Sequence, residues 1–549
     1  MPVRAAPDNS RRDLLILFAL AVLLFSAGLG LKDPWPPDEP RFTLVAKEMI
    51  ASGEWLFPRR GGELYPDKPP LFMWVIALFY WLSGSMRVAH LLPSMLAGLL
   101  STALVYDLGR RLWHHRAGFC AGLALITIVQ FTLQAKTAQI DGLLTFWVTL
   151  GVYGLVRHLL SGPAWGWYLI GFAAMGAGVI TKGVGFLPLL LLALYLFVRW
   201  QNYTVPSLNG KWWYWASGPF AMLLVVAAWL VPMIAASGGE PQLEAYRDNI
   251  LFHQTAERYA TPWHHTNPPW FYLEQIVLLW FPATLLLPWL LPAWWRRLRR
   301  GDSRYLLLLG WVVLVVIFFS FSPAKRGVYI SPAVPAVALA IGPLLPGLWR
   351  KPRVHASACV ATWMLAVSIL AVVATAALSP EFGAKLLRGA QIVPWPLLAT
   401  IGATGLLLAL ALGRRRGLLA LAAFLWSTWM LIGWWGYPLL NPIRSPAPFM
   451  TQVGQHIGPD AELGMVFVKE QFVLLADRPL THFGFTKSRE DQFSAARAWL
   501  HAEEKRWLLL PLAEMKRCFD PVAATYMGVR HRYHWFLVNR DAERTGECH

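Results

Sequence analysis

Two neighbouring acids, Asp38 and Glu39, follow directly after a hydrophobic run that is long enough to cross a membrane. They lie in PWPPDEPRF, where prolines hold the chain on both sides. A third acid, Asp67, precedes Lys68 in YPDKPPL. Carboxylates and cations held at one boundary can orient a charged ligand and stabilise charge that develops during a reaction. The alternative is that these are ordinary solvated residues of a membrane interface.

Further cations and hydroxyls fall at the same predicted boundary. The side chains that could bind an anion there are Arg41, Tyr65, Lys68, Lys325, Arg326 and Tyr329. Arginine in particular can hold a phosphate through two parallel hydrogen bonds. For the two cations in SPAKRGVYI, the alternative is a plain interfacial anchor, since long cationic side chains commonly extend from apolar surfaces to water.

Asp141, in KTAQIDGLLTFWV, is a fourth acid that could take part in the chemistry. Its alternative role is the N-cap of the helix that follows, for which aspartate is well suited. Arg247 and Arg258 could contact the phosphates of an acceptor. They could equally pair with Glu244 and Glu257.

Two adjacent histidines, His264 and His265, lie in RYATPWHHTNPPW. Imidazole and carboxylate groups suit Zn²⁺, so these histidines with Asp67 are the candidate metal ligands. The histidines have no fixed metal-binding spacing, and the alternative is an exposed loop that binds nothing. No Walker-type loop, dinucleotide fingerprint or metalloprotease signature is found, so no nucleotide cofactor is expected.

The composition is that of a polytopic membrane protein. Of 549 residues, 56% are hydrophobic and only 15% are charged, and the mean hydropathy is +0.43. Thirty tryptophans suit a chain with many membrane interfaces. The net charge of +18 does not indicate nucleic acid, because no basic run is interleaved with aromatic residues in a soluble module. Anionic membrane lipids are the expected partner.

Apolar runs of about 17 to 25 residues can span a bilayer, and the chain has thirteen candidates. They lie near 13–31, 88–109, 117–135, 142–160, 166–181, 183–199, 213–236, 271–293, 305–321, 328–348, 356–378, 393–412 and 418–437. The run 69–84 is kept in the interface, because this choice places the arginine and lysine clusters on one side. The N-terminus is then cytoplasmic, and residues 32–87, 139–141, 237–270 and 322–328 face outward.

After the last predicted span, a proline-rich linker leads to a less apolar tail. The tail's short runs LGMVFV, FVLLA, RWLLLPL and HWFLVNR are typical of strands, and the charged stretch KSREDQFSAARAWLHAEEKR is typical of a helix. We therefore predict a catalytic membrane domain over 1–440 and an outer α/β domain over 441–549. A Cys518–Cys548 disulfide would be permitted there, although sequence alone does not establish its geometry.

The order of these motifs resembles a known family of membrane enzymes. The acid pair is followed by YPDKPPLFMW, RVAHLLPSMLAGLL, KTAQIDGLLTFWV, ITKGVGFLPLL and SPAKRGVYISPAVPA. This order resembles the C-type membrane glycosyltransferases that use a polyprenyl-phosphate sugar as donor. It is most similar to bacterial 4-amino-4-deoxy-L-arabinose transferases of lipid A, and more distantly to protein O-mannosyltransferases. Many of the lipid A enzymes have Glu where this chain has Asp67.

The resemblance implies a bacterial inner-membrane enzyme with a periplasmic active site and interfacial helices in its first outer loop. It would move aminoarabinose from undecaprenyl phosphate to a lipid A phosphate, lowering surface negative charge and giving polymyxin resistance. Asp38 would orient the acceptor or stabilise positive charge on the sugar, with Glu39 and Asp141 in secondary roles. Lys68 and the other cations would hold the donor phosphate.

Three alternatives remain at this point. The chain could transfer another sugar to lipid A or its core, or it could glycosylate protein. It could also be a non-catalytic transporter, for which buried charges inside the spans should mark a pathway. Apart from Lys182, near the outer side, the predicted spans are nearly free of interior charge. This distribution favours an interfacial enzyme.

Overall fold

Apolar helices make up most of the computed structural model, which describes residues 10–208, 210–252, 267–387 and 392–544. The helices up to residue 248 are α1 Ser10–Ser26, α2 Glu39–Ser52, α3 Leu71–Ser83, α4 Met86–Ala89, α5 Leu92–Leu112, α6 His115–Thr127, α7 Val129–Ala135, α8 Ile140–Ser161, α9 Trp165–Lys182, α10 Leu190–Trp200, α11 Trp212–Ser237 and α12 Pro241–Asp248. Those up to residue 444 are α13 Phe271–Leu279, α14 Leu287–Arg299, α15 Ser303–Phe321, α16 Val334–Ile341, α17 Leu345–Leu348, α18 Pro352–Leu378, α19 Pro380–Leu387, α20 Trp395–Leu412, α21 Gly417–Leu431 and α22 Tyr437–Arg444. A 3₁₀ turn, Gly327–Ala333, precedes α16.

Seven of the described helices are long and apolar enough to cross a membrane, or nine if each of two bent helix pairs is one span. These pairs bend by 73° between α6 and α7, and by 97° between α13 and the segment Ala283–Arg299. The predicted spans 117–135 and 271–293 are therefore broken rather than straight. The prediction of a multi-pass helical membrane protein is confirmed, and the number thirteen stays a prediction. At 13 residues, α3 is too short to span, as expected for the run 69–84.

The first loop, residues 27–70, joins α1 to α3 and carries α2 and a small hairpin. The helix predicted in RFTLVAKEMIASG is present as α2. Pro40 lies in its first turn, where the missing N–H group costs no hydrogen bond. Strands β1 Arg59–Arg60 and β2 Glu63–Leu64 are antiparallel. Gly61 and Gly62 form their two-residue turn with φ of 61° and 80°, a conformation that favours glycine at both positions.

A buried ion pair joins Lys32 and Glu39, which lie seven residues apart in the first part of this loop. Lys32 Nζ lies 2.6 Å from Glu39 Oε1, and both side chains are almost fully buried. The Glu39 carboxylate also accepts hydrogen bonds from the backbone N–H groups of Trp35 at 2.8 Å and Ala138 at 3.1 Å. Burial alone would raise the pKa of Glu39, but the Lys32 ammonium and these donors hold it below its ordinary value. Glu39 therefore fastens the start of α2 to the segment that precedes α8.

The C-terminal segment, residues 447–544, contains a five-stranded mixed sheet in the order β4-β3-β5-β7-β6. Its strands are β3 Glu462–Met465, β4 Leu480–His482, β5 Arg506–Pro511, β6 Thr525–Arg530 and β7 Tyr533–Val538, and its helices are α23 Ala447–Ile457, α24 Glu470–Leu475, α25 Arg489–Ala502 and α26 Leu512–Cys518. Strand β3 is parallel to β4 and β5, whereas β7 is antiparallel to β5 and β6. Phe493 and Leu500 of α25 share an apolar core with Leu508 of the sheet.

One of the four predicted strands is wrong. Most of FVLLA lies in α24, where Phe472 and Leu474 are buried. A short apolar run has no periodicity that separates a strand from a buried helical turn, which explains the error.

The domain boundary near 440 stays a prediction. So does the disulfide, because Cys548 lies outside the described residues.

We expect Glu39→Ala to lower the thermal stability of the detergent-purified protein strongly, because it leaves the buried Lys32 ammonium unpaired. Breaking one partner of a buried pair costs about 3–5 kcal/mol. The matched control is Glu504→Ala, since Glu504 pairs with Arg540 at 2.7 Å but is 78% exposed. This control should cost less than about 1 kcal/mol. Equal melting temperatures for the two variants would show that the ion pair between Lys32 and Glu39 does not stabilise the fold.

Candidate active site

Charged side chains converge on a cavity of about 180 Å³ at one end of the helices. Its lining residues are Asp38, Arg41, Phe42, Tyr65, Asp67, Lys68, Gln139, Ile140, Asp141, Lys182, Val184, Phe319, Ser322, Ala324, Arg326 and Tyr329. Four of them are cationic and three are carboxylates, while phenylalanine and aliphatic side chains form an apolar side. A mixed lining of this kind suits a ligand that joins a charged head to an apolar tail.

Asp38 and Arg326 form an ion pair across the cavity, with 2.8 Å between Asp38 Oδ2 and Arg326 Nη2. Asp38 lies at the N-terminal cap position of α2, and Arg326 immediately precedes the Gly327–Ala333 turn. Burial would lower the pKa of Arg326, but the neighbouring Asp38 raises it above its ordinary value. The guanidinium therefore stays charged, and the pair joins two segments that are far apart in the sequence.

Lys325, the neighbour of Arg326, does not line the cavity although we predicted that it would hold a phosphate. Its Nζ is buried and donates to the backbone oxygen of Asn267 at 3.0 Å. The Asn267 side-chain amide in turn donates to the backbone oxygen of Lys325 at 3.0 Å. Gln130 braces the same turn by donating to the Gly327 oxygen at 2.7 Å. Lys325 thus supports the turn that presents Arg326.

Asp141 and Lys182 form a second ion pair in the cavity. Asp141 lies in the first turn of α8, and Lys182 is the last residue of α9. The N-cap position of α8 is Gln139, so the capping alternative for Asp141 is wrong. The Lys182 ammonium also lies 4.4 Å from the centre of the Tyr329 ring, within the range of a cation–π contact.

Lys182 is the cavity residue that sequence reasoning missed. The only available signals were its place in ITKGVGFLPLL and its isolation among apolar residues. Gly183, with φ of 85°, ends α9 directly after it.

The first loop supplies the remaining charged groups. Arg41 lines the cavity from α2, and Tyr65, Asp67 and Lys68 follow the hairpin. Lys68 Nζ donates to the backbone oxygen of Asp67 at 2.7 Å. Tyr65 is almost fully buried, and this burial raises the pKa of its hydroxyl, which therefore stays protonated as a hydrogen-bond donor.

The remaining candidates are not brought to the cavity. Glu39 is buried in the Lys32 pair, and Arg247 of α12 pairs with Asp248 at 2.8 Å, so neither belongs to the lining. Arg258, His264 and His265 lie outside the described residues. Within the part of the chain that the structure describes, no group of three or more His, Cys, Asp or Glu residues could hold a metal ion.

Comparison with known proteins assigns the family. A transferase from Pseudomonas paraeruginosa, named an undecaprenyl phosphate-alpha-4-amino-4-deoxy-L-arabinose arabinosyl transferase, is 30% identical over 459 residues. The match covers 81% of this chain and 77% of the relative. The chain belongs to this family. A Pseudomonas fluorescens member is 33% identical over 337 residues, which are 60% of this chain but only 58% of that relative.

Three further comparisons agree with this family. The pattern of dolichyl-phosphate-mannose-protein mannosyltransferases matches residues 67–231. The crystal structure of ArnT from Cupriavidus metallidurans bound to undecaprenyl phosphate superposes with a TM-score of 0.77 at 21% identity, covering 97% of this chain and 99% of that one. An oligosaccharyltransferase from Archaeoglobus fulgidus has a TM-score of 0.53 at 12% identity, covering 93% of this chain and 70% of that one. The chain therefore has the fold of this family, and its resemblance to the C-type glycosyltransferases is confirmed.

We expect the cavity to bind dodecyl phosphate, and we expect Arg326→Gln to weaken this binding. A charge-assisted hydrogen bond contributes about 1.5–3 kcal/mol, so the dissociation constant should rise roughly 10- to 100-fold. Calorimetric titration in an uncharged detergent measures the affinity. Arg540→Gln is the control, since Arg540 is a surface arginine of the C-terminal segment. Equal affinities for both variants and the unmodified protein would show that the phosphate binds elsewhere.

Proposed function

We propose that the protein transfers 4-amino-4-deoxy-L-arabinose from undecaprenyl phosphate to a phosphate group of lipid A. The observation that carries this proposal is the cavity in which Asp38, Asp141, Arg326 and Lys182 meet beside an apolar wall. Family membership supports the choice of sugar and lipid carrier, because the relatives are named for this donor. The superposition with a protein bound to undecaprenyl phosphate is consistent with it.

The cations would hold the donor phosphate while the bond between the sugar and the phosphate oxygen breaks. Negative charge then grows on the departing oxygen, and donors placed in advance stabilise it most in the transition state. Lys68, Arg41 and Arg326 line one cavity and can supply this charge. The hydroxyls of Tyr65 and Tyr329 can add uncharged donors. The apolar wall would accept the first part of the lipid tail.

The carboxylates would act on the sugar and the acceptor. A lipid A phosphate is already ionised at neutral pH, so the acceptor needs orientation more than it needs a strong base. Asp38 would orient the acceptor or stabilise positive charge on the sugar as its carbon–oxygen bond breaks. Asp141 would have a secondary role and would act through Lys182, with which it forms an ion pair. Glu39 would contribute by holding α2 in place rather than by touching the substrates.

In this proposal the cavity faces the periplasm from the bacterial inner membrane. Thirteen spans with a cytoplasmic N-terminus would put residues 1–440 in the membrane as the catalytic domain, and residues 441–549 outside it as an α/β domain. The side on which the arginine clusters fall supports this orientation.

Adding a cationic sugar to lipid A would lower the negative charge of the cell surface, and with it the affinity for polymyxin and other cationic peptides. Arg247 and Arg258 would contact the acceptor phosphates.

The match of residues 67–231 to protein mannosyltransferases favours a second candidate, transfer of another polyprenyl-phosphate sugar to protein. Transfer of such a sugar to lipid A or its core is a related alternative. The cations that hold the donor phosphate would serve either reaction, because the leaving group is a polyprenyl phosphate in both. The acceptor distinguishes the two candidates.

A divalent cation held by Asp67 with His264 and His265 is the further element of this proposal. Zinc would supply a Lewis acid beside the phosphate. Elemental analysis of the purified protein tests it, with about one zinc per chain expected, and with the zinc lost in Asp67→Asn. A metal-free protein that is active in the presence of chelator would remove the cation from the proposal.

We expect Asp38→Asn to reduce sugar transfer at least about 100-fold, because the amide cannot stabilise positive charge as the carboxylate does. The measurement is mass spectrometry of lipid A from a strain that makes the donor lipid but lacks its own aminoarabinose transferase. Unmodified protein should add the mass of one aminoarabinose to lipid A, and the variant should not.

Asp541→Asn is the matched control, since Asp541 is 78% exposed in the C-terminal segment, and it should leave transfer unchanged. Immunoblotting and melting temperature show that each variant is made and folded. No mass increase with folded unmodified protein would favour the second candidate or a transport function. Normal transfer by Asp38→Asn would remove Asp38 from the mechanism.

A further inference from the structure

One carboxylate of the C-terminal segment reaches the cavity wall. Glu470 is the first residue of α24, and only 10% of its side chain is exposed. Its Oε1 accepts a hydrogen bond from Arg41 Nε at 2.9 Å and lies 3.3 Å from Arg60 Nη1. Arg41 lines the cavity and belongs to α2, 429 residues earlier in the chain. Glu470 thus connects the sheet to a cation of the cavity.

The way in which Glu470 holds Arg41 has a chemical consequence. Glu470 binds the Nε atom, and among the residues that the structure describes no hydrogen bond uses the Nη atoms of Arg41. An arginine held at Nε by a carboxylate keeps a fixed plane, and its terminal nitrogens remain available for a second anion. Because the lining contains Arg41, this second anion can be a phosphate inside the cavity.

The surrounding contacts fix the position of Glu470 itself. Arg60, the other partner of Glu470, lies over the rings of Tyr65 at 5.4 Å and Phe485 at 4.6 Å. His482 forms a hydrogen bond to the backbone oxygen of Gly61 in the hairpin turn. The C-terminal segment therefore contacts the first loop through Glu470, His482 and Phe485, and the carboxylate does not reach Arg41 by chance rotation of an exposed side chain.

We propose that Glu470 is a positioning residue for binding of the donor phosphate. It orients Arg41 so that the terminal guanidinium nitrogens face this phosphate in the cavity. This inference rests on the proposed function for the identity of the phosphate. It makes the C-terminal segment a part of the active site, although the segment contributes no residue to the cavity lining.

The test compares Glu470→Gln with Glu490→Gln, Arg41→Gln and the double variant Glu470→Gln/Arg41→Gln. Glu490 is the control, since it binds Arg517 at 3.0 Å on an exposed face of the same segment. Affinity for dodecyl phosphate and the KM for the donor lipid are measured for each folded protein. Glu470→Gln should raise both the dissociation constant for dodecyl phosphate and the KM for the donor lipid about 10-fold, since roughly one oriented charge-assisted hydrogen bond is impaired. Glu490→Gln should change neither value.

The double variant separates positioning from general stability. If Glu470 acts through Arg41, adding Glu470→Gln to Arg41→Gln should weaken phosphate binding by less than about 2-fold, because residues that act through one contact are not additive. Glu470→Asp keeps the charge with a shorter reach and should give an intermediate affinity, which also serves if the glutamine variant does not fold. Full additivity, or unchanged affinity in Glu470→Gln, would overturn the inference. A protein that binds dodecyl phosphate in this Glu470-dependent manner but transfers no sugar would contradict the proposed function and leave the positioning role standing.

Discussion

The buried pair of Lys32 and Glu39 is the interaction on which the geometry of the cavity depends. A carboxylate removed from water is stable only with a cation and further donors around it, and Glu39 receives Lys32 and two backbone N–H groups. One donor is Ala138, three residues before Asp141. The same side chain therefore sets the start of α2, which follows Asp38, and the approach to α8, which presents Asp141. Two acids that are adjacent in sequence thus have different tasks, one inside the fold and one in the cavity.

The sequence motifs identified most of the charged lining, but they did not show which way each side chain points. Successive residues at a helix start are about 100° apart around the axis, so Asp38 and Glu39 point in different directions, and here Glu39 turns to Lys32 while Asp38 lines the cavity. Arg326 has an extended backbone with φ of −130°, and neighbours in an extended chain point to opposite sides, which explains why Lys325 turns away. These directions depend on where an element begins to within one residue, and sequence patterns do not define element ends so finely.

Contacts between distant parts of the chain had no local signal at all. Lys182 is a single lysine at the end of an apolar helix, and only the fold brings it to Asp141. Glu470 lies two residues before FVLLA, a run that resembles a strand in composition, yet Glu470 begins a short helix that contains most of this run. By contrast, the multi-pass class, α2 and the helix Arg489–Ala502 follow from composition and periodicity, which act over many neighbouring residues.

The pairing of charges within the cavity has a consequence for the release of ligands. Arg326 and Lys182 each have an internal carboxylate partner, Asp38 and Asp141. A phosphate that enters must therefore share these cations with the carboxylates or displace them, and displacement exchanges one ion pair for another. The net free energy of such an exchange is smaller than that of capture by unpaired cations, because part of the new attraction replaces an old one. Such a cavity can hold a phosphate firmly enough to orient it, while the internal carboxylates limit how tightly the freed phosphate, which carries additional negative charge, is retained.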